Sequence, residues 1–226
     1  MPEGNAILGQ FELVIFDCDG VLVDSEPIAN LVLKQMLQEL GIVMTMDSVL
    51  DHFLGRSMQQ CVQTIAQLLG RPPPASFADD YRVKTTAAFA TQLRQVAGVD
   101  SALDNLSIPY CVASSSDHAR LRTTLGMVGL LPRFDGRLFS VTEVARGKPA
   151  PDVFLHAART LGAAPSACVV IEDTPTGVSA GVAADMTVFG YAALTPRSRL
   201  VAAGAHRIFG DMCELSRLID LGRPGA

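Results

Sequence analysis

Asp17 and Asp19, one residue apart in FDCDG, close the apolar run from Phe11 to Phe16, which only Glu12 interrupts. In a strand, residues i and i+2 project to the same side. Extended backbone through Asp19 would therefore aim both carboxylates one way and make them repel. A divalent cation relieves such repulsion and prefers oxygen ligands. A small hairpin in DGVLVDS is the local alternative, since Asp19-Gly20 is a turn signal. It accounts for Asp19 but not for Asp17. A calcium loop of the EF-hand type would want an acidic or amide residue at Val21 and Glu at Ile28, and has neither. A second acidic pair, Glu172-Asp173, follows the apolar run CVVI. Alone it reads as an exposed turn or a helix cap; two such pairs in one sheet favour a shared metal site.

Two further stretches carry groups suited to an anion. Ser114-Ser115-Ser116 follows the strand-like PYCVA and precedes the helical DHARLRTTL. Ser116 reads as the N-cap of that helix. Ser114, nearest the strand end, could donate its hydroxyl to a phosphate, and Ser115 sits beside it at a helix N-terminus that favours anions. Lysine is scarce: Lys34, Lys84 and Lys148 are the only ones among 18 Lys and Arg. Lys148 lies in RGKPAPDVF, between glycine and proline turn elements, in the interval separating the Ser114 strand from the Glu172-Asp173 strand. A phosphate-facing role fits that position; an ordinary surface lysine is the alternative.

The elements that would position these groups follow from periodicity. Residues 11–17, 109–114, 137–141, 168–173, 186–190 and 206–210 read as strands, and after Gly98 they alternate with helical segments over short loops. That rhythm predicts an α/β fold with a doubly wound parallel sheet. Between the first strand and the rest lies a region without strands. It holds helical patterns in IANLVLKQMLQELG, SMQQCVQTIAQLLG and DDYRVKTTAAFATQLRQV, with RPPPAS as a breaker. This predicts an all-α cap, residues 25–97, inserted into a Rossmann-like core of residues 1–24 and 98–226. In open parallel sheets ligands bind beyond the carboxyl ends of the strands, where the acidic pairs fall.

Composition sets the limits. A chain of 226 residues that is 49% hydrophobic and 18% charged can build a substantial core. A net charge of −5, without basic runs, argues against nucleic acid as a partner. The N-terminus lacks the charged-then-apolar order of a signal peptide, and no apolar run nears the roughly 18 residues that span a bilayer. Five scattered cysteines without a C-x-x-C pair read as buried, reduced thiols of a cytoplasmic protein. The four histidines have no metal-ligand spacing. Nothing specifies an oligomeric state.

Taken in order, FDCDG, VASSS, GKPAP and VIEDT resemble the four motifs of the haloacid dehalogenase superfamily of phosphohydrolases. The helical insert is similar to the small cap of its phosphoglycolate phosphatase and β-phosphoglucomutase branch, and QVAGVDSALDNL resembles that branch's return from cap to core. The resemblance implies a phosphatase acting on a small phosphorylated metabolite. It implies Asp17 as nucleophile, Asp19 as general acid and base, and Mg²⁺ held by Asp17, the Asp19 main-chain carbonyl and Asp173, with Glu172 bound directly or supporting from behind. Ser114, Ser115 and Lys148 would bind the phosphoryl oxygens, Lys148 also offsetting the charge of Asp17. Arg56 is the cap residue assigned to the substrate, with a solvated helix face as its alternative; Arg82 and Lys84 are further cap cations that either reach the substrate or solvate helix faces.

Other readings compete. GVSAG, residues 177 to 181, matches the serine-hydrolase elbow G-x-S-x-G, with Asp185 and His206 following in triad order. The elbow needs its serine on the turn after a strand, whereas Ser179 falls in a helical stretch. A phosphoacceptor receiver domain would have no use for the long insert. Haloacid dehalogenases lack the second aspartate, which is present here as Asp19. The resemblance keeps a β-phosphoglucomutase-like phosphomutase as the alternative. Such mutases usually carry a histidine where Ala29 stands and an arginine where Met58 stands. Both departures favour a phosphatase, with sugar phosphates as the leaning.

Overall fold

The computed structural model describes residues 11–222, which divide into two compact units. One runs to Val23 and resumes at Gln95; the other is Asp24–Arg94. These crossings lie one and three residues before the expected boundaries. The cause is backbone pairing: Val23 forms an antiparallel bridge with Gln95, and the Val96 N–H donates to the Leu22 carbonyl at 3.0 Å, drawing 95–97 to the sheet-bearing unit.

That unit holds a six-stranded, all-parallel sheet in the order β3-β2-β1-β4-β5-β6. The strands are β1 (Leu13–Phe16), β2 (Tyr110–Ser114), β3 (Leu138–Ser140), β4 (Cys168–Glu172), β5 (Thr187–Tyr191) and β6 (Arg207–Phe209). All six lie where the sequence places them, within a few residues at each end. Each parallel step needs a crossover, and helices line both faces, so the central strands are buried on both sides. Leu13, Ile15, Cys111, Ala113, Val170 and Val188 pack with Phe154 and Ala157 of α7 (Asp152–Leu161) and Val178 of α8 (Pro175–Ala183). Phe16 meets Phe134 edge-on at 6.5 Å between centroids. The remaining helices of the unit are α5 (Val99–Asp104), α6 (His118–Met127), α9 (Arg197–Ala202) and α10 (Leu215–Asp220).

The Asp24–Arg94 unit contains only helices: α1 (Glu26–Glu39), α2 (Met46–Phe53), α3 (Met58–Leu69) and α4 (Phe77–Gln92). Val32, Leu33, Met36 and Leu37 of α1 supply the i, i+1, i+4, i+5 stripe that packs on Val49, Phe53, Cys61, Ile65 and Phe77. The α3 start carries a capping box, Ser57 with Gln60, and its end a left-handed Gly70.

Helix α2 is an addition to the three helices singled out in this stretch. It has eight residues, of which only Val49 and Phe53 are buried, too few for a distinct periodic signal. The third expected helix stops at Gln92, because the following residues are drawn into the pairing with Leu22 and Val23. Cys18, Cys61, Cys111 and Cys168 are buried free thiols; Cys213 departs from that expectation and is exposed, on a single 3-10 turn. Among the described residues no helix is long and apolar enough to cross a membrane.

Candidate active site

The sheet order reverses direction between β1 and β4, the crevice position at which open α/β sheets bind ligands. Phe16 pairs in register with Ile171, so the residues just beyond, Asp17 on one strand and Glu172-Asp173 on the other, leave the sheet side by side. One carboxylate oxygen from each of Asp17, Glu172 and Asp173 lies within 4.8 Å of the others, and all three residues are buried. Backbone geometry makes room for them. Gly20 turns the chain at φ +78°, and a Cβ there would fall 2.2 Å from Asp173 Oδ2. A Cβ on Gly177 would fall 1.7 Å from Glu172 Oε1.

Lys148 enters this cluster. Its ammonium donates to Asp17 Oδ1 at 2.8 Å, to Glu172 Oε1 at 2.7 Å and to the Ala113 carbonyl at 3.1 Å, and lies 4.6 Å from the Phe154 ring centroid. All three ammonium protons have an acceptor, which makes burial of the charge tolerable. Burial works against that charge, but Asp17 and Glu172 outweigh it and hold the ammonium above its ordinary range. Burial also pushes Asp17 up, to about 7, with Glu172 and Asp19 adding to the rise and Lys148 opposing it. Glu172 Oε2 accepts from the Thr174 N–H and hydroxyl, at 3.1 and 3.0 Å, and Thr174 in turn caps α8 through the Gly177 N–H.

Three buried carboxylates face one buried ammonium, an excess of two negative charges when all are ionised. A divalent cation matches that excess, and the all-oxygen donor set suits Mg²⁺. The residues present therefore fit the ion that the sequence analysis expects.

Asp19 lies beyond the end of β1 with its carboxylate turned to the start of α6. Its Oδ2 accepts from Ser116 Oγ at 3.1 Å and its Oδ1 from the Arg120 guanidinium at 3.2 Å. This corrects the reading of Ser116. The N-cap of α6 is Asp117, whose carboxylate accepts from the Arg120 N–H at 2.8 Å. Ser114, at the end of β2, is buried and its Oγ accepts from the Ser116 N–H at 3.1 Å, while Ser115 is exposed beside it. Arg56 belongs to the all-helical unit, where its guanidinium donates to Thr64 Oγ1 at 3.2 Å. Arg82 pairs there with Asp79, and Lys84 with Glu39 at 2.8 Å. Sequence reasoning overlooked Arg120, Thr174 and the clearance at Gly177. Arg120 left one signal, a cation in the first turn of a helix, against its dipole.

The triad alternative has no geometry. Ser179 is the fifth residue of α8 and not at a strand-to-helix turn, and His206 Nδ1 accepts from the Val188 N–H at 3.0 Å as part of the β5–β6 scaffold.

The family model described as haloacid dehalogenase-like hydrolase matches residues 11–185. The chain is 29% identical over 212 residues to 6-phosphogluconate phosphatase of Escherichia coli, covering 93% of this chain and 96% of that protein. A conserved haloacid dehalogenase-like protein of unknown function from Agrobacterium tumefaciens superposes with a TM-score of 0.88 at 34% identity, covering 93% of this chain and 98% of its own. A hydrolase of the same family from Deinococcus radiodurans, solved with bound phosphate and sodium, gives 0.82 at 31% identity, with 95% and 97% covered. With its motifs, sheet order and family match in agreement, the chain belongs to the haloacid dehalogenase-like hydrolases.

Proposed function

We propose that the chain is a Mg²⁺-dependent phosphatase that hydrolyses a small phosphorylated metabolite of the sugar-phosphate kind through an aspartyl-phosphate. The observation that carries this reading is the contact of Lys148 with both Asp17 and Glu172 at the sheet's switch point, beside Asp173. A carboxylate nucleophile repels an anionic phosphate ester, and a fixed ammonium on its flank lowers that repulsion.

In this reading Asp17 attacks phosphorus and the ester oxygen departs. Asp19 gives that oxygen its proton, then takes one from the water that hydrolyses the aspartyl-phosphate. Phosphate is released and both carboxylates return to their starting state. Asp17, Asp173 and the Asp19 main-chain carbonyl would hold Mg²⁺, with Glu172 fixed behind them by Lys148 and Thr174. The ion would supply charge neutralisation and polarise the phosphoryl oxygens. Ser114, Ser115 and Lys148 would receive those oxygens. The helical unit Asp24–Arg94 would act as the cap that selects substrate and limits water, with Arg56 its proposed substrate contact. The E. coli relative is by name a phosphatase of 6-phosphogluconate, which supports a phosphorylated sugar or sugar acid as substrate class.

The test is phosphate release by the purified protein from a panel of phosphorylated metabolites, with Mg²⁺ and with EDTA. Activity that needs Mg²⁺ and falls by about 10³-fold or more in Asp17→Asn is the expected result. Full activity in EDTA, or robust turnover by Asp17→Asn, would overturn it.

A further inference from the structure

We infer that Arg120 and Ser116 are positioning residues that hold the Asp19 carboxylate for proton transfer from within the sheet-bearing unit itself. This rests on the acid–base reading of Asp19 given above. Asp19 follows the end of β1, forms an isolated parallel bridge with Val23 and precedes a left-handed turn at Gly20. Its carboxylate has a two-point hold, with one oxygen accepting from the Arg120 guanidinium at 3.2 Å and the other from the Ser116 hydroxyl at 3.1 Å. Donors on both oxygens define the plane of the group as well as its position.

The hold is anchored. The Ser116 N–H donates to Ser114 Oγ at 3.1 Å, and the Ser116 carbonyl accepts from Ser140 Oγ at 2.8 Å. Ser114 and Ser140 are register partners on β2 and β3, and both are buried. The position of Asp19 is thus transmitted from two neighbouring strands through one loop residue. Arg120 sits three residues past the Asp117 cap, where a cation opposes the helix dipole. Its ion pair is also partly solvated, with 34% and 21% of the two side chains exposed, so it adds little stability. The helix dipole does not favour an arginine here and the ion pair adds little stability, whereas its contact with Asp19 gives it an orienting role.

The consequence falls mainly on the second half-reaction. Aryl phosphates have a good leaving group and need little help from an acid, whereas water attacking the aspartyl-phosphate always needs a base. A misplaced Asp19 should therefore let the phosphorylated form accumulate.

The experiment uses 4-nitrophenyl phosphate and Mg²⁺, with turnover measured alongside rapid quenching and intact-mass detection of the phosphorylated protein. Arg120→Ala should lower turnover about 10- to 100-fold and raise the phosphorylated fraction at steady state. Ser116→Ala should do the same to a smaller degree. Arg120→Lys, which keeps a charged donor, should fall between Arg120→Ala and the wild type. Arg122→Ala, an exposed arginine of the same helix, should match the wild type. In an Asp19→Ala background, Arg120→Ala should change turnover by less than about twofold. An equal loss in both backgrounds, or a loss without accumulation in Arg120→Ala and Arg120→Lys alike, would show that Arg120 acts otherwise than through Asp19. Failure of the wild type to form any phosphorylated protein would overturn the acid–base reading itself.

Discussion

Gly177 and Glu172 compete for one volume: the α8 backbone passes so close to the carboxylate that a single methyl group at Gly177 would overlap it, at 1.7 Å from Oε1 and 1.9 Å from Cδ. Glu172 has little freedom to retreat, because Lys148 holds one oxygen and Thr174 the other. Gly177→Ala should displace either the helix or the carboxylate. A loss of about 1–3 kcal/mol in stability is expected, with weaker Mg²⁺ binding by titration calorimetry. Wild-type values for both would mean that α8 shifts at no cost.

Lys148→Met should leave three buried carboxylates without their cation. Breaking a buried pair on one side costs about 3–5 kcal/mol, and activity should fall about 10²- to 10³-fold. Mg²⁺ should restore part of the lost stability, since it brings the missing positive charge. Urea unfolding with EDTA and with Mg²⁺ measures the loss of stability and its recovery; an unchanged midpoint in EDTA would count against this charge balance.

Asp17 predicts a pH dependence with a definite sign. Its carboxyl is raised from 3.8 to about 7 in the folded protein. Between these values the metal-free folded chain keeps a proton that the unfolded chain has released. Its contribution to stability is present in full below 3.8 and is lost as pH rises through about 7. In the proposed reading Mg²⁺ would bind the ionised form, so adding it below about pH 7 should release a proton and flatten the dependence. The difference between wild type and Asp17→Asn in EDTA, followed by denaturation over about pH 5 to 8, isolates this group. Parallel curves for the two proteins would refute the assignment.

The phosphoryl group should pass to water and not between positions of a sugar. Ala29, in α1, offers no proton-transferring or hydrogen-bonding side chain where the resembling mutases carry histidine. Free phosphate should then appear in step with loss of any active sugar phosphate. Build-up of an isomeric sugar phosphate with a need for a bisphosphate primer would establish the mutase reading. Ser179→Ala, altering a residue inside α8, should keep near-normal rates.

The strands were legible because parallel strands buried on both faces are short, dense apolar runs, and CVVI or PYCVA admits few other readings. Helix α2 was not legible, since two buried residues in one short helix make no pattern. The end of α4 was obscured for a different reason: RQV continues a helical sequence, and long-range pairing with Leu22 and Val23 overrides it. At the site, residue types announced the carboxylates and Lys148 individually. Sequence could not say that Lys148 would reach Asp17 and Glu172 together, because that depends on the order of strands in the sheet. Ser116 shows the limit of local rules: serine and aspartate are both good caps, and the next residue, Asp117, took the role and left Ser116 to Asp19.

The register of β1 against β4 also bears on how the chain becomes a working protein. Ile15 pairs with Val170 and Phe16 with Ile171, so these two central strands come together across most of the described sequence, with the whole helical unit and two other strands between them. Contacts so remote along the chain form slowly, because a long loop must close before they give any return. Until then Asp17 has neither Glu172 nor Asp173 beside it. Cation uptake should therefore report the closing event of assembly, and a partly folded chain with β1, β2 and the helical unit already in place should remain blind to the metal.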